Sequence, residues 1–482
     1  MRVHVIGHAS LLIEADGVTI LMDPVFWDPH YEGTAVTSPG REVRPEHLPA
    51  YDVIAVSHRH FDHFDVRTLA SLDKRCPVLI PDGDVLLRDA MLRLGFSRCQ
   101  PLRDGQRVTV GRTAITTTPS RARVREFGLL VRDSSATVWN PVDTHIDKGT
   151  AVGVADAHGP IDLLLATWQP LLEAEVLTNG PTSFPHAAYF RMLSTVRLVH
   201  PRAAMPSACG FKYTGPGVWL NRFVFPVSRD MFLRDVAALA PDTRLLAPNP
   251  GDIVDVHGPD ATLEVAASPF VRTVRDDPAE TAFDPTSCVP ELSDQNPHAY
   301  GEEQMSRTIR GFLDDGLRCA LERSRQRGRL ARQYQRLGIV YQLDVVFPSH
   351  TRSWSIDFSR DLSLTEAATP GAGIRARIAA SLLADLILGR CSVGYVFGVG
   401  GYRFWQRVYT LGPTGAYRWK PASQPSVVDP LWMALDAEAL FKQSVDRDIA
   451  RYHGPHQPEP SLGSDTTRHH QRDRLGGDED LA

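Results

Sequence analysis

The sequence predicts an α/β fold with two sheets in the middle and helices outside, followed by a smaller α+β region. Two observations carry this prediction. Short apolar runs with the period of strands alternate irregularly with segments of helical period. Several of the strand-like runs also end in an acidic or imidazole residue. At 482 residues the chain is too long for a single core, so two or three domains of ordinary size are expected.

Taken in order, residues 3–6, 11–14 and 18–22 read as strands, with Asp16-Gly17 as a hairpin turn between the last two. The third ends at Asp23-Pro24, where proline stops strand pairing and leaves a carboxylate at the tip. The apolar run 51–57 is a buried strand that delivers His58-Arg59-His60-Phe61-Asp62-His63. Helix 66–73, strand 78–80 and helix 84–94 give a βαβ rhythm. Strands follow at 107–110, 114–118, 127–132 and 136–140, the last running into Pro141-Val142-Asp143-Thr144. Strand 162–167, helix 185–196, strand 203–206 and helix 229–239 complete a region assigned to residues 1–262. Residues 263–300, rich in Pro, Asp, Ser and Thr, read as a linker or irregular crossover. An α+β domain is expected over 301–425, with helical residues 302–337, strands 339–347, 353–358 and 374–378, and a helix 381–388 stopped by Gly389. Arg323, Arg325, Arg327, Arg329 and Arg332 read as a solvated helix face. A helical extension over 426–452 and a disordered tail over 453–482 finish the chain, and His469 and His470 are solvated there.

Composition limits the function. With 43% hydrophobic and 23% charged residues the chain can bury a core, and a net charge of -5 gives no electrostatic case for nucleic acid or anionic membrane. The six cysteines are scattered without a Cys-x-x-Cys, which argues against zinc ribbons and a disulfide scaffold. No Cys-x-His pair is present to ligate a Rieske cluster. His4, His8, Glu14 and Asp16 interrupt the apolar N-terminus, so neither a signal peptide nor a membrane span is expected, and the expected location is cytoplasmic.

The residues that carry chemistry are the three imidazoles and one carboxylate of His58–His63. One histidine alone is more often a surface loop group, but this set at a strand end, with Asp23 and Asp143 at other strand ends, points to metal. His58 and His60 lie two apart and project to one side, while Asp62 and His63 follow round the turn to face a second position. Two nearby cations repel, so a bridging carboxylate lowers their energy, and Asp143 is the candidate.

On these residues the first part of the chain, about 260 residues, resembles the metallo-beta-lactamase superfamily. Its His-x-His-x-Asp-His motif is matched by His58, His60, Asp62 and His63, its early strand-end aspartate by Asp23 and its bridging aspartate by Asp143. Gly7-His8-Ala9-Ser10 and Leu21-Met22-Asp23-Pro24-Val25 resemble the branch containing the ascorbate-6-phosphate lactonases and N-acylphosphatidylethanolamine phospholipases D. The resemblance implies a four-layered αβ/βα sandwich with two divalent metals at one edge.

Two departures stand out. The superfamily usually supplies one further histidine to each metal, yet Thr118-Pro119-Ser120-Arg121-Ala122-Arg123-Val124 and Met205-Pro206-Ser207-Ala208-Cys209-Gly210 hold none. One metal then keeps His58, His60 and Asp143 and the other Asp62, His63 and Asp143. The first set suits non-heme iron better than a closed zinc site, although zinc or manganese also fit if waters or His8, Glu126 or His145 complete the shells. Glu126 and His145 read more readily as exposed loop groups than as ligands. Asn140–Thr144, Ser183-Phe184-Pro185, Pro206–Gly210 and Pro248-Asn249-Pro250-Gly251 are similar to segments of the CMP-N-acetylneuraminate hydroxylase catalytic region, as are stretches at 343–347 and 390–407. That family joins such a region to an N-terminal Rieske domain. Here the chain begins at the first strand of the metal region, so a separate ferredoxin or reductase is the implied electron donor. The strand and helix order of 339–388 resembles the sterol-carrier-protein-like fold, implying an apolar cavity or a dimer interface.

Three functions are therefore expected in order. The first is an iron oxygenase that hydroxylates a small polar metabolite. The second is a dizinc hydrolase of an ester, lactone or phosphodiester, in which Asp62 accepts a proton and Asp143 bridges. The third is a non-catalytic ligand- or partner-binding protein with a vestigial site. Substrate specificity is expected in the loops 27–36 and 168–184.

Overall fold

The computed structural model describes residues 1–120, 124–144, 146–274, 278–327, 329–418 and 429–452. Its N-terminal part contains two large sheets. In the first, the antiparallel strands Asp260–Glu264, Ile253–His257, Arg2–Gly7, Ser10–Ala15 and Val18–Met22 continue into the parallel strands Val53–Ala55, Val78–Pro81 and Cys99–Leu102. In the second, the parallel strands Arg244–Leu245, Ala203–Pro206, Leu163–Ala166 and Thr137–Asn140 continue into the antiparallel strands Phe127–Arg132, Thr113–Pro119 and Arg107–Val110.

The layering follows from which faces are apolar. Val3, Leu11, Ile13 and Ile20 of one sheet share a core with Ile115, Leu129, Val131 and Leu163 of the other. Leu12, Leu21, Ile54 and Val78 point the opposite way, against helices Val66–Ser71 and Val85–Arg93. Leu130, Trp139, Leu164 and Ala204 do the same on the far side, under Lys148–His158, His186–Val199 and Arg229–Leu239. Strands buried on both faces read as continuous apolar runs, which is why Leu163–Ala166 shows no alternation. The result is the four-layered αβ/βα arrangement, a metallo-beta-lactamase fold.

Two elements depart from the sequence expectation. Helix Lys148–His158 was not expected, because Gly149, Thr150 and Gly153 depress its propensity. Asp147 caps it by accepting from the Thr150 N–H at 2.8 Å, and Ala151 and Val154 anchor it in the core. The expected helical stretch 302–337 divides into Glu302–Gly311, a π-helical turn Phe312–Leu317, Arg318–Gln326 and Leu330–Arg336. Its buried residues Met305, Ile309, Leu313, Leu317 and Leu321 recur every four positions. Each such step drifts about 40° round an α-helix, and the wider π turn takes much of that back, keeping all five in one core. Arg323, Arg327, Arg329 and Arg332 are exposed, while Arg325 is partly buried.

These helices and Ala380–Ile387 cover one face of a five-stranded sheet ordered Leu364–Thr365, Thr351–Asp357, Val340–Val346, Ile374–Ala379 and Tyr402–Gln406. Gly389, at φ +66°, ends the helix as expected. The stretch expected to be a linker holds a strand, Val271–Thr273, paired with Arg41–Val43. Helix Ala437–Tyr452 returns to the N-terminal sandwich, where Phe441 stacks on Phe61 at 5.0 Å and Val445 joins the core. Among the described residues no helix is long and apolar enough to cross a membrane. The tail, with His469 and His470, lies outside the described residues.

Candidate metal centre

The parallel strands of both sheets deliver their carboxyl ends to one edge, which carries Asp23, the His58–His63 loop and Asp143. Asp23 follows Val18–Met22, the His58–His63 loop follows Val53–Ala55, and Asp143 follows Thr137–Asn140. His8 comes instead from the turn between the first two strands. The turns are shaped by local bonds. Asn140 Oδ1 accepts from the Val142 N–H at 3.0 Å, and Ser10 Oγ donates to the Asp23 carbonyl at 2.6 Å. His8, Asp23, Val142, Ala208 and Cys209 all have positive φ, between 43° and 59°, a clustering of backbone strain at one sheet edge.

Two groups of three donors converge. His58, His60 and Asp143 form one, and His8, Asp62 and His63 the other, each with its donor atoms within 4.8 Å of one another. Asp143 Oδ2 lies 3.7 Å from His58 Nε2 and 3.3 Å from His63 Nε2, between the groups, where a bridging carboxylate is expected. Asp62 Oδ1 and Asp143 Oδ1 are buried with no hydrogen-bond partner. Buried carboxylate oxygens are costly without a donor or cation, so this donor set fits metal.

A second layer of bonds orients these ligands. Asp23, fully buried, takes the Ser57 N–H on Oδ1 at 2.7 Å. Its Oδ2 faces Ser57 Oγ at 2.7 Å and His63 Nδ1 at 2.9 Å. That places the His63 proton on Nδ1 and leaves Nε2 facing the centre. Ser57 Oγ also meets His58 Nδ1 at 3.0 Å, which turns the Nε2 of that ring toward the centre, where it lies 3.0 Å from His60 Nδ1. His8 differs. Its Nδ1 accepts from the Gly210 N–H at 3.1 Å, so a neutral ring carries its proton on Nε2 and donates it to Asp62 Oδ2, also at 3.1 Å. In this geometry His8 holds Asp62 in place rather than facing a cation with a free lone pair.

Electrostatics agree with a site built for positive charge. Burial alone would raise Asp143, but His63 and His58 hold it well below the usual carboxylate range. Burial alone would lower His63, yet Asp143 and Asp62 raise it well above the ordinary imidazole value. Glu126 is 6% exposed, which corrects the alternative of an exposed loop group. Its Oε1 accepts the Asp143 N–H at 3.1 Å and its Oε2 accepts from Ser120 Oγ at 2.6 Å, and burial together with Asp143 pushes it up to about 7. His145 lies outside the described residues.

The structure adds groups that the sequence did not single out. Glu173 and Tyr213 hydrogen-bond to each other near Asp62, and burial raises both above their ordinary values. Neither carries a local motif that would have marked it. A cleft of about 690 Å³ has Trp168, Cys209, Gly210, Phe211 and Phe225 in its walls and meets the centre through Gly210, the residue that bonds to His8. Trp168 belongs to a loop expected to set specificity.

Comparison with known proteins places this edge in a family context. Residues 2–145 match the family described as Beta-lactamase superfamily domain. A Mycolicibacterium smegmatis protein provisionally named Rieske 2Fe-2S iron-sulfur protein is 31% identical over 189 residues, 36% of each chain. A metal-dependent hydrolase of Aeropyrum pernix is 25% identical over 224 residues, 43% of this chain and 82% of that protein. Among solved structures, a diiron beta-hydroxylase from Streptomyces venezuelae aligns with a TM-score of 0.37 and 20% identity over 51% of this chain and 52% of that one. The chain spans between 22% and 36% of the length of the first curated relatives it matches.

Proposed function

We propose that the chain, whose residues 2–145 carry a beta-lactamase superfamily domain, is a metal-dependent enzyme in which two metals share Asp143. Its preferred activity is that of a non-heme diiron oxygenase that hydroxylates a small polar metabolite with electrons from an external donor. The observation that carries this is the donor set of His58, His60 and Asp143, two imidazoles and one carboxylate, with the neighbouring His63 imidazole gathered instead with Asp62 in the other group. Such a set leaves positions open and favours iron over a closed zinc site. When bound, iron supplies dioxygen activation. The chain's own residues do the rest: Asp23 and Ser57 fix the His63 and His58 rings, His8 fixes Asp62, and Glu126 holds the Asp143 backbone. The cleft beside Gly210 has the size of a small-metabolite site. The Rieske-named relative supports an electron-transfer partner, ferredoxin or reductase, for this reading.

A second reading is favoured by the Aeropyrum hydrolase, which aligns over most of its length. In this reading the same residues of this chain would hold two zinc ions, which would activate water for hydrolysis of an ester, lactone or phosphodiester, and Asp62, with Oδ1 unpaired, would accept a proton. Metal analysis of protein purified without chelators, with oxygen consumption measured in the presence of a reductant, separates the two. About two irons per chain and reductant-dependent oxygen uptake are expected. Two tightly held zinc ions with oxygen-independent hydrolysis would overturn the oxygenase in favour of the hydrolase.

A further inference from the structure

The five-stranded sheet has two unlike faces. Leu343, Ala376 and Phe404 point into the helix-covered core. The alternate residues Gln342, Asp344, Arg375, Arg377, Arg403 and Trp405 share the other face, since the register pairs Gln342 with Arg375, Asp344 with Arg377, Arg375 with Trp405 and Arg377 with Arg403. That face forms the floor of a cleft of about 870 Å³, closed on one side by residues 368–372 and on another by Asn179.

The charges on this floor do not balance. Asp344, 1% exposed, is taken by Arg375, whose Nε lies 2.6 Å from Oδ2. Arg377 Nε is 3.9 Å from the same oxygen and its Nη2 is 4.0 Å from Glu291, both beyond hydrogen-bond reach, and the buried Nε has no partner. Arg403 donates Nη1 to the carbonyls of Gly400 at 2.7 Å and Tyr402 at 2.8 Å and Nη2 to that of Pro290 at 3.4 Å, and lies over the Trp219 ring. Among the described residues no carboxylate pairs with it. Burial and the neighbouring Arg377 push its guanidinium down to about 10. Like charges directly opposed across two strands are destabilising unless an anion sits between them. Asp344 is shared between Arg375 and the more distant Arg377, and Arg403 is held by carbonyls and an indole ring, so three guanidinium charges on this floor face one buried carboxylate and the distant Glu291.

We propose that this cleft binds a phosphorylated small molecule, with its phosphate between Arg377 and Arg403 and a planar portion against Trp405. The Arg377 guanidinium supplies the donors for a tetrahedral oxyanion, Arg403 adds positive charge beside it, and the Trp405 indole, 41% exposed, offers an apolar plane. The site is independent of the metal centre and of the activity assigned there.

The test is isothermal titration of the full chain with inorganic phosphate, AMP and adenosine, repeated on Arg377→Gln, Arg377→Lys and Asp143→Asn, each checked for an unchanged melting temperature of this region. Competitive binding of phosphate and AMP is expected, with adenosine weaker. Arg377→Gln should weaken AMP about tenfold at unchanged metal content, and Arg377→Lys should fall between it and the parent. Asp143→Asn should bind AMP as the parent does. Absence of saturable phosphate or AMP binding up to about 10 mM, equal affinity in Arg377→Gln, or loss of binding in Asp143→Asn, which would place the phosphate on metal, each overturns the proposal.

Discussion

Replacing Asp23 with asparagine should weaken metal binding about 10- to 100-fold while leaving the sandwich folded. Asp23 Oδ1 faces the Ser57 N–H, so the asparagine must keep oxygen there and place its NH2 where Oδ2 was. That NH2 then meets Ser57 Oγ and His63 Nδ1. The hydroxyl can turn and accept. The ring cannot accept on Nδ1 without moving its proton to Nε2, the nitrogen 3.3 Å from Asp143 that should bind metal. Reversing that tautomer in the bound state costs about 1.4 to 2.7 kcal/mol, which corresponds to the affinity loss stated. Chelator competition on metal-free protein measures it directly, with circular dichroism as the check on folding. Equal affinity in a folded Asp23→Asn protein would refute the orientation argument.

Further outcomes follow from the same contacts. Asp143→Ala should lose most of its metal by elemental analysis, because one carboxylate serves both groups, and retention of the parental content would remove its bridging role. Burial and then Glu32 raise Asp448 from 3.8 to about 6, so in the folded protein its protonated form is favoured. That stability is present in full below 3.8 and is lost as pH rises through about 6. Asp448→Asn should therefore stabilise the protein at pH 7, by at most about 3 kcal/mol, with the gain falling to about 0.5 kcal/mol near pH 4 in urea titrations. A Cβ at Gly217 would lie 1.9 Å from the Gly398 carbonyl oxygen, so Gly217→Ala should cost about 1–3 kcal/mol or more in thermal unfolding. An unchanged melting temperature would show that the two backbones do not meet there.

By itself the sequence determined the α/β layering and the core of the candidate site. Alternating apolar runs specify which strand faces are buried, and His58, His60, Asp62 and His63 are neighbours in the chain, so their convergence needs only a tight turn. Asp23 and Asp143 were legible as carboxylates at the ends of apolar runs. Helix Lys148–His158 was not, because its glycines hide a segment held by one cap and two buried side chains. Only the tertiary structure decided that His8 restrains Asp62, that Glu126 is buried behind Asp143, and that helix Ala437–Tyr452 lies across Phe61. It also set Arg377 opposite Arg403. Those pairings join segments far apart in the chain, and strand register and the burial of facing surfaces fix them, neither of which is written in any local run of residues.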